Sequence, residues 1–384
     1  MVKTIAVFTG TRAEYGLLNP LMAALRDDVT IELKLIVTGT HLSPEFGLTW
    51  KEVFDDGFAI DEKIEILLSS DSAIGVAKSM GLGVLGFADA LARINPDCII
   101  ILGDRFEALA MAQTAMIMRV PVVHLHGGEI TEGAYDDAIR HAITKMSQLH
   151  FTSTAEHRKR VIQLGEDPNT VFNVGAIGLD HIKNSQLMSL EELSLSLDFN
   201  LNRPYFLVTY HPVTLADEDP ETTFNTLIDV LDSYTDLQVI VTYPNADDGG
   251  RRIIPLIEKW AQQQPERVKA IPSLGFRRYL SAVKNAVAVV GNSSSGIIEV
   301  PSLQVASVDI GHRQQGRTAA ESVIRCGSTC AEITKAVDQA IKLTIKLKAA
   351  PIENPYGSGD TAKKIMALIK EFSPITVKKF YDLP

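Results

Sequence analysis

Short, almost wholly apolar runs recur along this chain, each followed by a stretch of helical length and periodicity, and few folds accept that pattern. Thr4–Thr9, Ile31–Thr38, Cys98–Leu102, Val120–His124, Leu149–Thr152 and Val171–Val174 are the first set. A strand with no polar alternation is buried on both faces, which points to a parallel sheet covered by helices. Asn95-Pro96-Asp97 and Arg119-Val120-Pro121 end the intervening helices, because proline lacks the donor a continuing helix needs. The pattern loosens after Gly175 and resumes with Tyr205–Thr209, Leu237–Val241, Val268–Ala270, Ala286–Val290 and Val305–Asp309. At 384 residues the chain suits two such α/β units. We expect one over residues 1–178, joined by a last helix at 364–384, and a second over 179–363.

The formal charge of −10, from 37 basic against 47 acidic residues, argues against a surface built for nucleic acid or an anionic membrane. An anionic ligand must then be met by local cations. Met1 to Phe8 runs straight into a strand pattern without a signal-like segment, so a cytoplasmic protein is expected. Ala73 to Leu91 is apolar but interrupted by Lys78, Asp89 and four glycines, which favours a buried helix, at a subunit interface, over a membrane span. Cys98, Cys326 and Cys330 lack paired spacing, and neither a disulfide framework nor a zinc site is expected.

In an open parallel sheet, ligands sit beyond the carboxyl ends of the strands, so the residues just past each strand carry the most information. The first strand leads into Gly10-Thr11-Arg12-Ala13-Glu14-Tyr15-Gly16, where Arg12 is an anion-binding candidate at a helix start. The third long run delivers Gly103-Asp104-Arg105: a guanidinium can grip phosphate and an ionised carboxylate can move protons, while a structural ion pair is the plainer reading. His124-Leu125-His126-Gly127-Gly128-Glu129, then Asp136-Asp137 and Arg140-His141, offer acid–base groups or, less simply, metal ligands. His124, His141 and His150 read as packed residues. The second half supplies His211-Pro212, Tyr243-Pro244-Asn245-Ala246-Asp247 and Gly291-Asn292-Ser293-Ser294-Ser295-Gly296. The last has glycines for close backbone approach, hydroxyls, and a helix start expected to contain Glu299, which makes it the strongest phosphate-binding pattern; a serine N-cap alone is the alternative. Asp309 to Arg317 then adds Arg313 and Arg317.

Taken together, these motifs, with Gly311-His312-Arg313-Gln314, resemble the UDP-N-acetylglucosamine 2-epimerases, in order and spacing along nearly the whole chain. The Thr-Arg-Ala-Glu-Tyr start and the Gly-Asn-Ser-Ser-Ser-Gly loop look like the hydrolysing branch. The resemblance implies a GT-B-like fold of two Rossmann-like domains with the substrate in the interdomain cleft, a homodimer or homotetramer, no metal and no nicotinamide. It implies that UDP leaves by anti elimination to a 2-acetamidoglucal, which water then hydrates with the opposite C2 configuration, giving N-acetylmannosamine for sialic acid synthesis. By position, Asp104 and Asp136 would be catalytic, with His126 and Glu129 nearby, and Arg105 and His211 would line the diphosphate and reacting carbons. Arg12, Ala13, Asn245, Asp247, Ser273, Gly291, Asn292, Ser293, Ser294, Ser295, Gly296, Arg313 and Arg317 would hold UDP, with Glu299 on its ribose. Several relatives carry glutamate where this chain has His126, so the group that supplies the second proton transfer stays open. UDP-N,N′-diacetylbacillosamine is the alternative substrate that the resemblance admits.

Overall fold

The computed structural model describes residues 2–68, 72–130, 135–212, 219–244, 250–375 and 377–383. The chain forms two compact units, Met1–His181 with Gly359–Pro384, and Ile182–Ser358.

In the first unit, strands β1 (Lys3–Thr9), β2 (Ile31–Thr38), β3 (Glu62–Ile64), β4 (Cys98–Leu102), β5 (Val122–Leu125), β6 (Leu149–Thr152) and β7 (Val171–Asn173) form one sheet in the order β3-β2-β1-β4-β5-β6-β7. All of its pairings are parallel. Helices α1 (Arg12–Arg26), α2 (Trp50–Asp55), α3 (Ala73–Ile94), α4 (Phe106–Ile117), α5 (Tyr135–Met146) and α6 (Ala155–Gln163) lie between the strands, and α7 (Leu179–Asn184) follows the last of them. Two apolar clusters cover the sheet. One joins Val7, Leu18, Met22, Leu35 and Ile100; the other joins Phe8, Phe87, Ile99, Ile101 and Met111. Removing each such side chain from water contributes about 1.5–3 kcal/mol.

The second unit contains α8 (Leu190–Leu197), β8 (Tyr205–Thr209), α9 (Pro220–Asp232), β9 (Gln238–Thr242), α10 (Gly250–Gln263), β10 (Val268–Ile271), α11 (Gly275–Asn285), β11 (Ala288–Gly291), α12 (Ser295–Ile298), β12 (Ser307–Ile310), β13 (Val323–Cys326) and α13 (Cys330–Ala349). Its sheet runs β10-β9-β8-β11-β12-β13, again parallel. In both sheets the strand order reverses beside the unit's first strand, between β1 and β4 and between β8 and β11. Those switch points are where the carboxyl-end loops diverge and leave room for a ligand.

The last helix, α14 (Thr361–Glu371), packs against α1 in the first unit. The Asp180 carboxylate accepts from the first two amides of α14, at 2.8 and 2.7 Å. At the other end Lys3 Nζ donates to the carbonyls of Ile369, Lys370 and Phe372. Both ends are thus capped by groups of opposite sign to the helix dipole.

Parallel α/β layering agrees with the sequence pattern, and most expected strands fall within two residues of their observed bounds. β3 and β13 were not expected: both are edge strands, short and carrying Glu62, Lys63 or Arg325, so neither has the continuous apolar run of a central strand. Helix α3 also departs from the expected buried helix. Ile74 is 68% and Leu85 70% exposed, although the opposite face packs Phe87, Ala90 and Leu91 into the core. It is long and apolar enough to cross a membrane by length and composition alone, with a third of that stretch buried.

Candidate active site

At the first switch point, the end of β4 presents Asp104 and Arg105 ahead of α4. Asp104 receives a hydrogen bond from Nη2 of Arg140, a nearly fully buried residue of α5 that also donates to the Glu129 carbonyl at 2.8 Å and to Asp137 at 3.3 Å. The ion-pair reading of Asp104 is therefore right in kind, with Arg140 and not Arg105 as its partner. Asp136 opens α5 in the same region. Burial and the charge of Asp104 raise its pKa, against the opposing pull of Arg140 and Arg105. Two carboxylates are thus set apart, one paired with a guanidinium and the other with its pKa raised by burial and a like charge, a contrast of the kind acid–base work uses.

His126 comes directly after β5 with φ of 65°, a left-handed conformation uncommon for a side chain with a Cβ. Its Nε2 accepts from the Ile177 amide at 3.3 Å and its Nδ1 faces Glu129 Oε1 at 3.2 Å. Glu129 also accepts from Ser153 Oγ at 2.8 Å, and Ser153 bonds His157 Nδ1 at 2.8 Å. Burial lowers the His157 pKa to about 4, so this ring is neutral near pH 7. His126 and Glu129 therefore belong to a half-buried polar chain that ties the β5 loop to Ser153 and Ile177. His124 is the packed residue expected: it bonds the Gly103 carbonyl at 2.8 Å, and burial holds its pKa down at about 3.

At the second switch point His211 lies just past β8 and Gly291 ends β11. The Asn292 side chain spans the two, accepting from the His211 amide and donating to its carbonyl, each at 2.7 Å. It was expected among the UDP-binding groups, but this amide is engaged within the protein and serves to hold His211. Gly291 is obligatory, since a Cβ there would lie 1.9 Å from the Thr209 carbonyl oxygen. Ser293 and Ser294 form the turn that leads into α12, whose first residues are Ser295 and Gly296. That helix is only four residues long, so its dipole is weaker than the expected full helix would provide, and Glu299 is its C-cap, not an interior residue. Burial raises the Glu299 pKa. The Asn292 carbonyl accepts from Arg313 Nη1 at 3.2 Å and from Gln314 Nε2 at 2.9 Å, which brings the loop after β12 onto the serine turn. The Arg317 carbonyl accepts from Arg325 Nη2.

Other expected residues lie elsewhere in their units. Arg12 is 71% exposed and pairs with Glu52 at 2.8 Å, with Ala13 exposed beside it in the first turn of α1. Ser273 is exposed and caps Gly275 at the start of α11. Asn245 and Asp247 lie outside the described residues. The sequence marks Arg140 only as a neighbour of Asp136 and Asp137, and its contact with Asp104 is what sequence reasoning misses. Its i,i+4 and i,i+3 spacing from Asp136 and Asp137 is the available signal, but the partner that matters, Asp104, is remote in sequence. Among the described residues, no three His, Cys, Asp or Glu side chains are grouped to hold a metal ion.

Two doubly wound parallel-sheet units, each with polar and charged groups at its switch point, define a nucleotide-sugar enzyme fold of the GT-B-like kind. A solved structure of UDP-GlcNAc 2-epimerase from Neisseria meningitidis bound to UDP-GlcNAc shares it, with a TM-score of 0.80 at 20% identity over 97% of this chain and 100% of that one. Residues 23–370 match the family model described as UDP-N-acetylglucosamine 2-epimerase. The chain is 42% identical over 322 residues to the GDP/UDP-N,N′-diacetylbacillosamine 2-epimerase (hydrolyzing) of Campylobacter jejuni, covering 84% of each chain. It is 35% identical to polysialic acid biosynthesis protein P7 of Escherichia coli, over 100% of this chain and 98% of that one. The chain belongs to the UDP-N-acetylglucosamine 2-epimerase family, on its hydrolysing branch.

Proposed function

We propose that the protein hydrolyses a UDP-2-acetamido sugar with inversion at C2, and that its donor is UDP-N,N′-diacetylbacillosamine. The observation that carries the chemistry is the pair Asp104, held by Arg140, and Asp136, whose pKa is raised. In this reading one carboxylate takes the C2 proton while UDP departs from C1, leaving a 2-acetamidoglucal. Water then adds its hydroxyl to C1 and a proton returns to C2 from the opposite face. Arg105 and His211 answer charge near the reacting carbons, and Ser293, Ser294 and Arg313 take the diphosphate, as fixed donors should where charge develops. Nothing in these roles calls for a metal or nicotinamide.

The donor is favoured by the 42% identity to a relative named for diacetylbacillosamine. UDP-N-acetylglucosamine is the second reading, favoured by the full-length match to a protein named for polysialic acid synthesis. The proposal includes action in the cytoplasm and self-association. For the latter, the exposed Ile74 and Leu85 of α3 are the apolar side chains that a second copy could cover.

The test is proton NMR of the purified protein in D₂O with each donor in turn. UDP release with a 2-epimeric free sugar deuterated at C2 is expected, and faster turnover identifies the donor. Failure to release UDP from either would overturn the assignment.

A further inference from the structure

Two glutamates that the chemistry above leaves unused lie beside Arg105. Glu107, in the first turn of α4, is 1% exposed, and its two oxygens accept from Arg105 Nε and Nη2, both at 3.2 Å. The Arg105 side chain remains 43% exposed, so its inner edge is anchored while the rest reaches solvent. Glu14, also buried, accepts from the amides of Gly10 at 2.7 Å and Thr11 at 3.2 Å, closing a capping box with Thr11. The two carboxylates flank Gly10: a Cβ there would stand 3.4 Å from Glu14 Oε2 and 3.6 Å from Glu107 Cβ. Gly39, after β2, closes the third side, because a Cβ on it would lie 2.7 Å from the Gly10 carbonyl and 3.2 Å from Glu107 Oε1. Two carboxyl groups thus crowd one closed space at the ends of β1, β2 and β4, and the one on Glu107 is hydrogen-bonded to Arg105.

We propose that Glu107 is the positioning residue of Arg105, and that the charge state of Glu14 sets how freely that guanidinium can meet an anion. Burial and Glu107 push the Glu14 pKa up to about 7, with the Gly10 amide, Arg105 and the Thr11 amide opposing. Glu107 and Arg105 are the charged groups that face it. Below that pH, Arg105 and Glu107 balance each other. Above it, a second negative charge draws on the same guanidinium, and the site becomes less hospitable to a diphosphate. Gly10 and Gly39 supply the closeness, and the capping box fixes Glu14 in place. The inference rests on Arg105 serving the substrate, as proposed above.

The experiment compares wild type, Glu107→Gln and Glu14→Gln from pH 5 to 8.5, following UDP release and thermal unfolding without substrate. Glu107→Gln is expected to lower kcat/KM about ten-fold or more, as misplacement of a charged donor does. Wild-type KM should rise across neutral pH and Glu14→Gln should lose that rise. Wild-type activity in Glu107→Gln, or an unchanged KM profile in Glu14→Gln, would overturn the proposal. If Glu107→Gln does not fold, Glu14→Gln decides alone. If no donor is turned over, the substrate reading fails separately, while the cluster is judged by unfolding: wild-type Tm should fall between pH 5 and 8 relative to Glu14→Gln, and parallel curves would refute it.

Discussion

Arg140 is a buried side chain whose removal has a readable expected consequence. With its partner Asp104 only a quarter exposed, removal of the guanidinium leaves a carboxylate without its ion pair. Arg140→Met should cost about 3 kcal/mol of stability, read from denaturant midpoints, and should lower kcat more than it raises KM. Asp104→Asn should keep the fold and lose about 100-fold or more in UDP release. Asp309 makes a pH prediction. It is buried near the end of β12 with Arg325 Nε 3.7 Å from its Oδ2, and burial pushes its pKa up to about 6, Arg325 opposing. The folded carboxyl therefore holds its proton to higher pH than the unfolded one. Its stabilising contribution is present below about pH 4 and is lost as pH rises through 6. Asp309→Asn should flatten the Tm profile between pH 4 and 7; an unchanged profile would show that Asp309 does not titrate there. Motif reading singled out Asp104, Asp136, Arg105 and His211 because they stand just past strands or in the segments that follow them. It could not show that the Asn292 amide bonds the His211 backbone, since an amide that faces a ligand and one that ties two loops are the same letter.

At the scale of elements, the turn after β11 shows why a loop can be legible in outline and misjudged in detail. The Gly-Asn-Ser-Ser-Ser-Gly run correctly marks a close backbone approach, and Gly291 meets Thr209 so tightly that Gly291→Ala requires the two strand ends to part. That variant should lose more than about 3 kcal/mol, measurable as a lower urea midpoint, with His211 displaced because Asn292 is the next residue. The segment from Ser295 onward was expected to be a full helix and is one turn, because Pro301 closes a 3-10 turn directly after Glu299. The edge strands β3 and β13 escaped notice for a related reason. An edge strand has one neighbour to satisfy and tolerates charge, so its sequence resembles a loop. Helix α14 was expected to rejoin the first unit, and the Asp180 carboxylate on its first amides shows what holds its start there.

For the whole molecule, the apolar face of α3 is the feature with the widest consequence. If copies associate through it, Leu85→Glu should shift the protein to a smaller species in size-exclusion chromatography with light scattering, without altering the fold. An unchanged mass would exclude that face. The layered parallel architecture was readable from composition along the chain, because burial on both sides of a strand demands continuous apolar residues and proline and glycine mark the breaks. Strand-end motifs likewise pointed to the family, since ligand-facing loops carry few residues whose types are replaceable. Which carboxylate pairs with Arg140, which amide clamps His211, and how Glu14 and Glu107 come to share Arg105 were decided only by the tertiary structure. Apart from Arg105 with Glu107, those pairs lie tens of positions apart and meet through crossover connections, and electrostatic energy depends on distance and burial that no local pattern encodes.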